Sequence, residues 1–362
     1  MQRNIHPVID DYIFHLPDEL IAKYPVEPFD HCRLLRVQKI MKKTTDAFFY
    51  DLPNFLEAGD LLVVNNSRVE ARRIFLKRQT KSKQSGSRIE TVFLEKMDNI
   101  QGAKNQCWNA LIKKKQRLKH LEVLACEADE NIFFIVHKLD DGRTYLEESV
   151  DMNGEIFGKI GQMPIPPYLK REEANIDRRA YQNPFSKKGD LNAAVAAPTA
   201  ALHFTPDLLD KLKRAQVRLE PLALNIGYGT FAPLRTENFL MQKLHRESYE
   251  IPENLARILG KKEYNRLYAV GTTSLRVLET VHCLTGGRYD NFLKGQTDIF
   301  LYPPYNIRSV DGMITNFHLP GSSLIMLVAC LAEKNLLMRA YQSAIEKKYR
   351  FFSYGDAMLI QK

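Results

Sequence analysis

The stretch from Ala193 to Phe231, AAVAAPTAALHFTPDLLDKLKRAQVRLEPLALNIGYGTF, decides how the rest of the chain is read. Its small and β-branched opening, 193–197, has the composition of a strand and breaks at Pro198 into a polar loop carrying Thr199 and His203. Thr205 is a good N-cap, and Pro206 suits the first helical position, where a missing N–H costs nothing. The helix so predicted, 207–215, buries Leu208, Leu209 and Leu212 on one face. A second apolar strand, 217–226, ends in Gly227-Tyr228-Gly229-Thr230. This is a strand–loop–helix–strand–loop unit with its reactive side chains in the loops. In open α/β sheets the loops at the carboxyl ends of strands form the binding crevice.

The pattern recurs on both sides. A strand at 61–64 runs into Asn65-Asn66-Ser67-Arg68. Another at 266–270 runs into Gly271-Thr272-Thr273-Ser274 and a helix over 275–282. Met313-Ile314 leads into Thr315-Asn316-Phe317-His318-Leu319-Pro320-Gly321-Ser322-Ser323 and an apolar helix over 324–331. A helix over 337–347 and a strand over 357–360 follow, and residues 11–37 read as a short strand, a short helix and another strand. Between the α/β parts lie six short β-rich runs, 74–77, 89–95, 107–112, 121–125, 132–139 and 144–148, separated by turns such as Asp140-Asp141-Gly142. Many short strands without helices predict a small antiparallel barrel or sandwich. The expected organisation is therefore an α/β domain, 1–70 and 158–362, interrupted by a β-barrel domain, 71–157.

With 362 residues, 44% hydrophobic and 26% charged, the chain has the composition of a soluble two-domain protein. It opens without a charged-then-apolar leader, and its longest apolar run, 324–332, is too short to span a bilayer. Five scattered cysteines without paired metal-ligand spacing predict a reduced, cytoplasmic, metal-free protein. Of the net charge of +9, the segment 71–120 supplies +11, with 14 Lys/Arg against 3 Asp/Glu. Such concentration suits a polyanion partner, with Lys113, Lys114, Lys115 and Arg117 as the densest cluster; the alternative is a solvated lysine-rich face.

In the loops after 270 and 321, hydroxyls stand at helix starts, where free N–H groups favour a carboxylate or phosphate. Thr272, Thr273, Ser274 and Ser322 are candidates for binding, with simple capping as the alternative. Arg68 and Arg276 could hold an anion or pair with a carboxylate. Gly227 and Gly229 lack the third glycine and immediate helix of a dinucleotide fingerprint. His203, His318 and His245, the last with Glu247 nearby, are the candidate general acids or bases, against structural roles for each. Phosphate-loop, nucleophile-elbow and zinc spacings do not occur.

Taken together, DLLVVNNSRVEARR (60–73), MPIPPY (163–168), AVAAPTAALHF (194–204), GYGTF (227–231), VGTTSLRVLET (270–280), TDIFLYPPY (297–305), TNFHLPGSSLIMLV (315–328) and YRFFSYGDAMLI (349–360) closely resemble the S-adenosylmethionine:tRNA ribosyltransferase-isomerase family of queuosine biosynthesis. The resemblance implies an α/β domain of unusual topology with an inserted β-barrel. It implies that S-adenosylmethionine is a co-substrate donating its ribosyl group, with no true cofactor and no metal. The implied acceptor is 7-aminomethyl-7-deazaguanine at the wobble position of a tRNA, and the products are epoxyqueuosine-tRNA, adenine and methionine. Asn65, Asn66, Arg68, Thr199, Gly227, Gly229, Thr230, Thr272, Thr273, Ser274, Arg276, Asn316 and Ser322 become expected substrate contacts in a monomer. A non-catalytic RNA-binding protein and a conventional RNA methyltransferase are the competing readings.

Overall fold

The computed structural model describes residues 7–79, 84–186, 193–194, 196–225, 234–289 and 293–362. Nine strands make one sheet, in the order Lys294–Ile299, Lys243–Glu250, Arg218–Leu224, Leu61–Asn65, Leu267–Val270, Gly312–Asn316, Ala357–Gln361, Arg33–Gln38 and Lys43–Phe48. The four from Arg218–Leu224 to Gly312–Asn316 run parallel to one another. Outside them antiparallel pairings appear on both sides, against Lys243–Glu250 and against Ala357–Gln361. Strands Leu61–Asn65, Leu267–Val270 and Gly312–Asn316 are buried at every residue, as expected of parallel strands covered on both faces.

The two-residue period of a strand divides the core. Leu61 and Val63 face the helices Glu253–Lys261, Gly271–Thr285, Ser323–Ala332 and Lys334–Glu346. Leu62 and Val64 face the opposite layer, with Leu208 and Leu212 of Pro206–Arg214 and Phe49 and Leu52 of the 3-10 turn Phe49–Phe55. Thr205 Oγ1 accepts from Leu208 N at 3.2 Å, the cap read from the sequence.

The six β-rich runs form a closed antiparallel barrel, Thr144–Glu148, Cys107–Ile112, Gln84–Met97, Arg73–Gln79, Val123–Cys126 and Phe133–Lys138 in order. Phe93, Trp108, Phe134 and Leu146 fill it, and Phe157 of the helix Gly154–Ile160 caps it, its ring 5.4 Å from Trp108 and 5.7 Å from Phe93. The two crossings to the α/β part are stitched together, Arg73 N to Gln162 O at 3.2 Å and Gln162 N to Arg73 O at 2.8 Å. At Gly161 a Cβ would lie 1.7 Å from Ala71 O, so only glycine lets these crossings touch.

Three expectations change. Residues 11–37 hold one strand, Arg33–Gln38, preceded by 3-10 turns where a strand was expected first; in the run between Pro17 and Pro25 pairing is limited to a single bridge, Ile21 with Phe351. The strand expected at 193–197 is a two-residue pairing of Ala193–Ala194 with Arg68–Val69, separate from the main sheet. The helix expected at 275–282 begins earlier, at Gly271, so GTTS is its first turn rather than a loop before it.

Candidate active site

Asn65 closes the strand Leu61–Asn65 and spends its whole side chain on the protein. Its Oδ1 accepts from Ser67 N at 3.0 Å, Ser67 Oγ at 2.9 Å and Leu224 N at 3.2 Å, and its Nδ2 donates to Leu224 O at 3.2 Å. It clamps two parallel strand ends. Asn66 beside it keeps a buried Oδ1 that has no partner among the described residues. Arg68 lies in the small two-stranded sheet, away from the cavity described next.

That cavity lies at the carboxyl ends of the parallel strands, with about 750 Å3 of empty space once the open solvent at its mouth is counted. Thr199, Thr272, Thr273, Thr315, Asn316, Ser322, Ser353 and Tyr168 supply its polar atoms, and Phe317, Leu324 and Phe352 its apolar wall. No Asp, Glu, Lys or Arg is among its described lining residues; His318 is the titratable imidazole. Gly271, with φ +86°, lets the helix Gly271–Thr285 start against the 199–201 turn, where a Cβ would sit 3.6 Å from that of Ala200.

Asn316 ties the cavity to the interior. Thr199 Oγ1 donates to its Oδ1 at 3.0 Å, and its Nδ2 donates to Phe352 O at 3.2 Å and His203 Nε2 at 3.0 Å. A carbonyl can only accept, which fixes the amide's orientation and makes His203 Nε2 the acceptor. The neutral ring then carries its proton on Nδ1, 3.2 Å from Cys32 Sγ. His203 is 4% exposed, and burial pushes its pKa down to about 4. Burial also raises the Cys32 thiol well above its usual value, so neither group is charged near neutrality.

His318 stands differently. Its Nε2 shares a 2.9 Å hydrogen bond with Thr315 Oγ1, its ring lines the cavity, and Nδ1 has no protein partner among the described residues. Burial pushes its pKa down to about 3. His203 bonds Asn316 and His318 bonds Thr315, neighbours at the end of one strand, and of the two imidazoles His318 lines the cavity. His245 does neither: it is exposed on Lys243–Glu250, and Glu247 is ion-paired with Arg276 instead of orienting it. Ser322 acts as the cap of Ser323–Ala332, accepting from Ile325 N at 3.4 Å. Thr273 and Ser274 cap nothing, and their buried hydroxyls have no partner among the described residues.

Gly227, Gly229 and Thr230 lie outside the described residues. Lys113, Lys114, Lys115 and Arg117 stand exposed on the turn after Cys107–Ile112. That turn starts near the junction, since Lys113 is 3.6 Å from Glu90, which also pairs with Arg73 at 2.8 Å. Sequence reasoning missed Tyr168, Ser353 and Cys32. Tyr168 hydrogen-bonds Ser353 and packs on Phe352 with ring centroids 4.8 Å apart. MPIPPY and YRFFSYG were the available signals, but neither follows a predicted strand.

The sequence profile described as "Queuosine biosynthesis protein" matches residues 9–360. A relative from Sulfurihydrogenibium sp. (strain YO3AOP1), an S-adenosylmethionine:tRNA ribosyltransferase-isomerase, is 40% identical over 358 residues, 97% of this chain and 99% of its own. One of the same description from Thermotoga maritima is 37% identical over 354 residues, again 97% and 99%. The crystal structure of the Thermotoga maritima S-adenosylmethionine tRNA ribosyltransferase superposes with a TM-score of 0.52 at 31% identity, covering 97% of this chain and 99% of that one. Matched along almost its whole length in sequence and in its sheet-plus-barrel architecture, this chain belongs to the queuosine biosynthesis protein family.

Proposed function

We propose that the protein is an S-adenosylmethionine:tRNA ribosyltransferase-isomerase, moving the ribosyl group of S-adenosylmethionine onto 7-aminomethyl-7-deazaguanine in a tRNA anticodon and releasing adenine and methionine. The observation that carries this reading is the uncharged, hydroxyl-lined cavity at the carboxyl ends of the parallel strands. Ribose offers several oxygens and no charge, and Thr199, Thr272, Thr273 and Ser353 present short polar groups to match. Phe352 and Tyr168, their rings tilted 54° to each other, supply aromatic faces against which a base can pack.

The chemistry needs a proton removed from the carbon next to the sulfonium and a proton delivered to departing adenine. The His318 imidazole stands on the cavity wall, where it can exchange a proton with a ligand; burial, which lowers its pKa, makes it a weaker base than a free imidazole. Its Nε2 is held by Thr315, so the ring presents Nδ1 as the exchanging atom. His203, with both ring nitrogens engaged behind Asn316, is a positioning residue that fixes the amide and through it Thr199.

The α/β part, 1–70 and 158–362, is the catalytic domain, and the barrel, 71–157, carries the tRNA contact through its exposed basic turn. The enzyme works as a cytoplasmic monomer, with S-adenosylmethionine consumed and no resident cofactor. Incubation with S-adenosylmethionine and tRNA carrying the deazaguanine tests this directly. Adenine and methionine in equal amounts support it. S-adenosylhomocysteine would identify a methyltransferase, and binding without turnover an RNA-binding protein.

A further inference from the structure

The helix Gly271–Thr285 carries a buried guanidinium that the cavity does not use. Arg276 is 6% exposed. Its Nη1 donates to Glu247 on the strand Lys243–Glu250, while its Nε and Nη2 have no partner among the described residues. Those two nitrogens form one edge of the fork, and their parallel N–H bonds match the two oxygens of a carboxylate. Glu247, at the opposite corner, holds the fork in one orientation. Thr273 lies three residues earlier on the same helix face, on the cavity wall, its own hydroxyl without a partner among the described residues. Buried donors in folded proteins are nearly always satisfied, so a free edge on the helix whose first turn lines the cavity calls for an acceptor.

We infer that the Nε–Nη2 edge of Arg276 receives the α-carboxylate of the donor's amino-acid end. The methionine moiety then runs along this helix face while the ribosyl group fills the uncharged cavity. The inference rests on the donor reading above. A tRNA phosphate is the other anion in that reaction. The single buried fork favours the carboxylate, because the cations assigned to RNA stand exposed on the barrel.

Calorimetric titration of the full-length protein, with substrate tRNA present, compares S-adenosylmethionine with its decarboxylated form. The unmodified protein should prefer the carboxylated donor by roughly 100-fold, the yield of a bidentate charge-assisted pair. Arg276→Gln should bring the two donors within about threefold of each other by weakening the carboxylated one alone; Arg276→Lys, which keeps the charge and loses the fork, should fall between. Equal binding of both donors by the unmodified protein overturns the inference, whatever the variants do, and leaves the donor reading standing. Failure to bind or consume S-adenosylmethionine overturns the donor reading itself. If Arg276→Gln weakens both donors alike, or tRNA alone, the guanidinium is structural or faces a phosphate, and the inference falls.

Discussion

On the barrel, Lys113, Lys114, Lys115 and Arg117 project from an exposed turn. In the crevice, Arg276 is buried against Glu247, and the cavity beside it has no Asp, Glu, Lys or Arg among its described lining. Exposed cations keep their hydration and act at a distance, through a field that salt screens. A buried cation has already lost its water and acts only on what reaches it. A large polyanion and a small donor would call for opposite arrangements, and the chain places its exposed and its buried cations in different architectures.

The comparison breaks first at His318. His318→Asn should lower turnover at least ~100-fold with tRNA affinity nearly unchanged, as single-turnover kinetics and filter binding would read. Full turnover in the variant moves the proton chemistry to a carboxylate, water or the substrate amine.

His203 sharpens the contrast through stability. Burial holds its folded pKa at about 4, below the ordinary value of 6.5. Between those values the unfolded chain binds a proton that the folded chain refuses. This contribution is therefore intact above about pH 6.5 and falls as pH drops, by an amount on the order of 2–3 kcal/mol near pH 4. Denaturant titrations across that range should show a shallower acid slope for His203→Gln; an unchanged slope would mean that the ring is not buried neutral.

Replacing Lys113, Lys114, Lys115 and Arg117 together by Ala should weaken tRNA binding about tenfold and flatten its logarithmic salt dependence by up to about 3, leaving donor binding alone. An unchanged salt slope places the RNA path elsewhere. The smallest effect belongs to Ser322→Ala, a loss of about 1 kcal/mol of stability with KM for the donor unchanged. A raised KM would make Ser322 a substrate contact as well as a cap.

The barrel was legible because each of its strands announces itself locally: turn residues bound every run, and alternation sets Ile74 and Leu76 inward. The crevice loops were legible for a similar reason, since strands such as Leu61–Asn65 run directly into polar clusters. Lys243–Glu250 was not, because only Glu247 and Tyr249 of it are buried and no apolar period shows. Its bulge between Lys243 and Glu247 breaks what alternation there is. Tyr168, Ser353 and Cys32 reach the site from far along the chain, and no local pattern encodes such a meeting. The Arg276–Glu247 pair is of that kind: each residue was visible alone, while their contact depends on the packing of helix on sheet.

The strand Arg33–Gln38 pairs only with its hairpin partner Lys43–Phe48 and with Ala357–Gln361. During synthesis that hairpin must therefore wait for a segment some three hundred residues downstream before it joins the sheet. At about 5–20 residues per second the delay is roughly 15–60 s. Throughout it Leu34, Leu35 and Val37, fully buried in the finished protein, lack their cover. A two-stranded hairpin is marginal by itself, and an unpaired apolar edge invites intermolecular pairing. The nascent chain is thus exposed to aggregation at the strand Arg33–Gln38, and chaperone dependence should track translation speed over the stretch that follows residue 48.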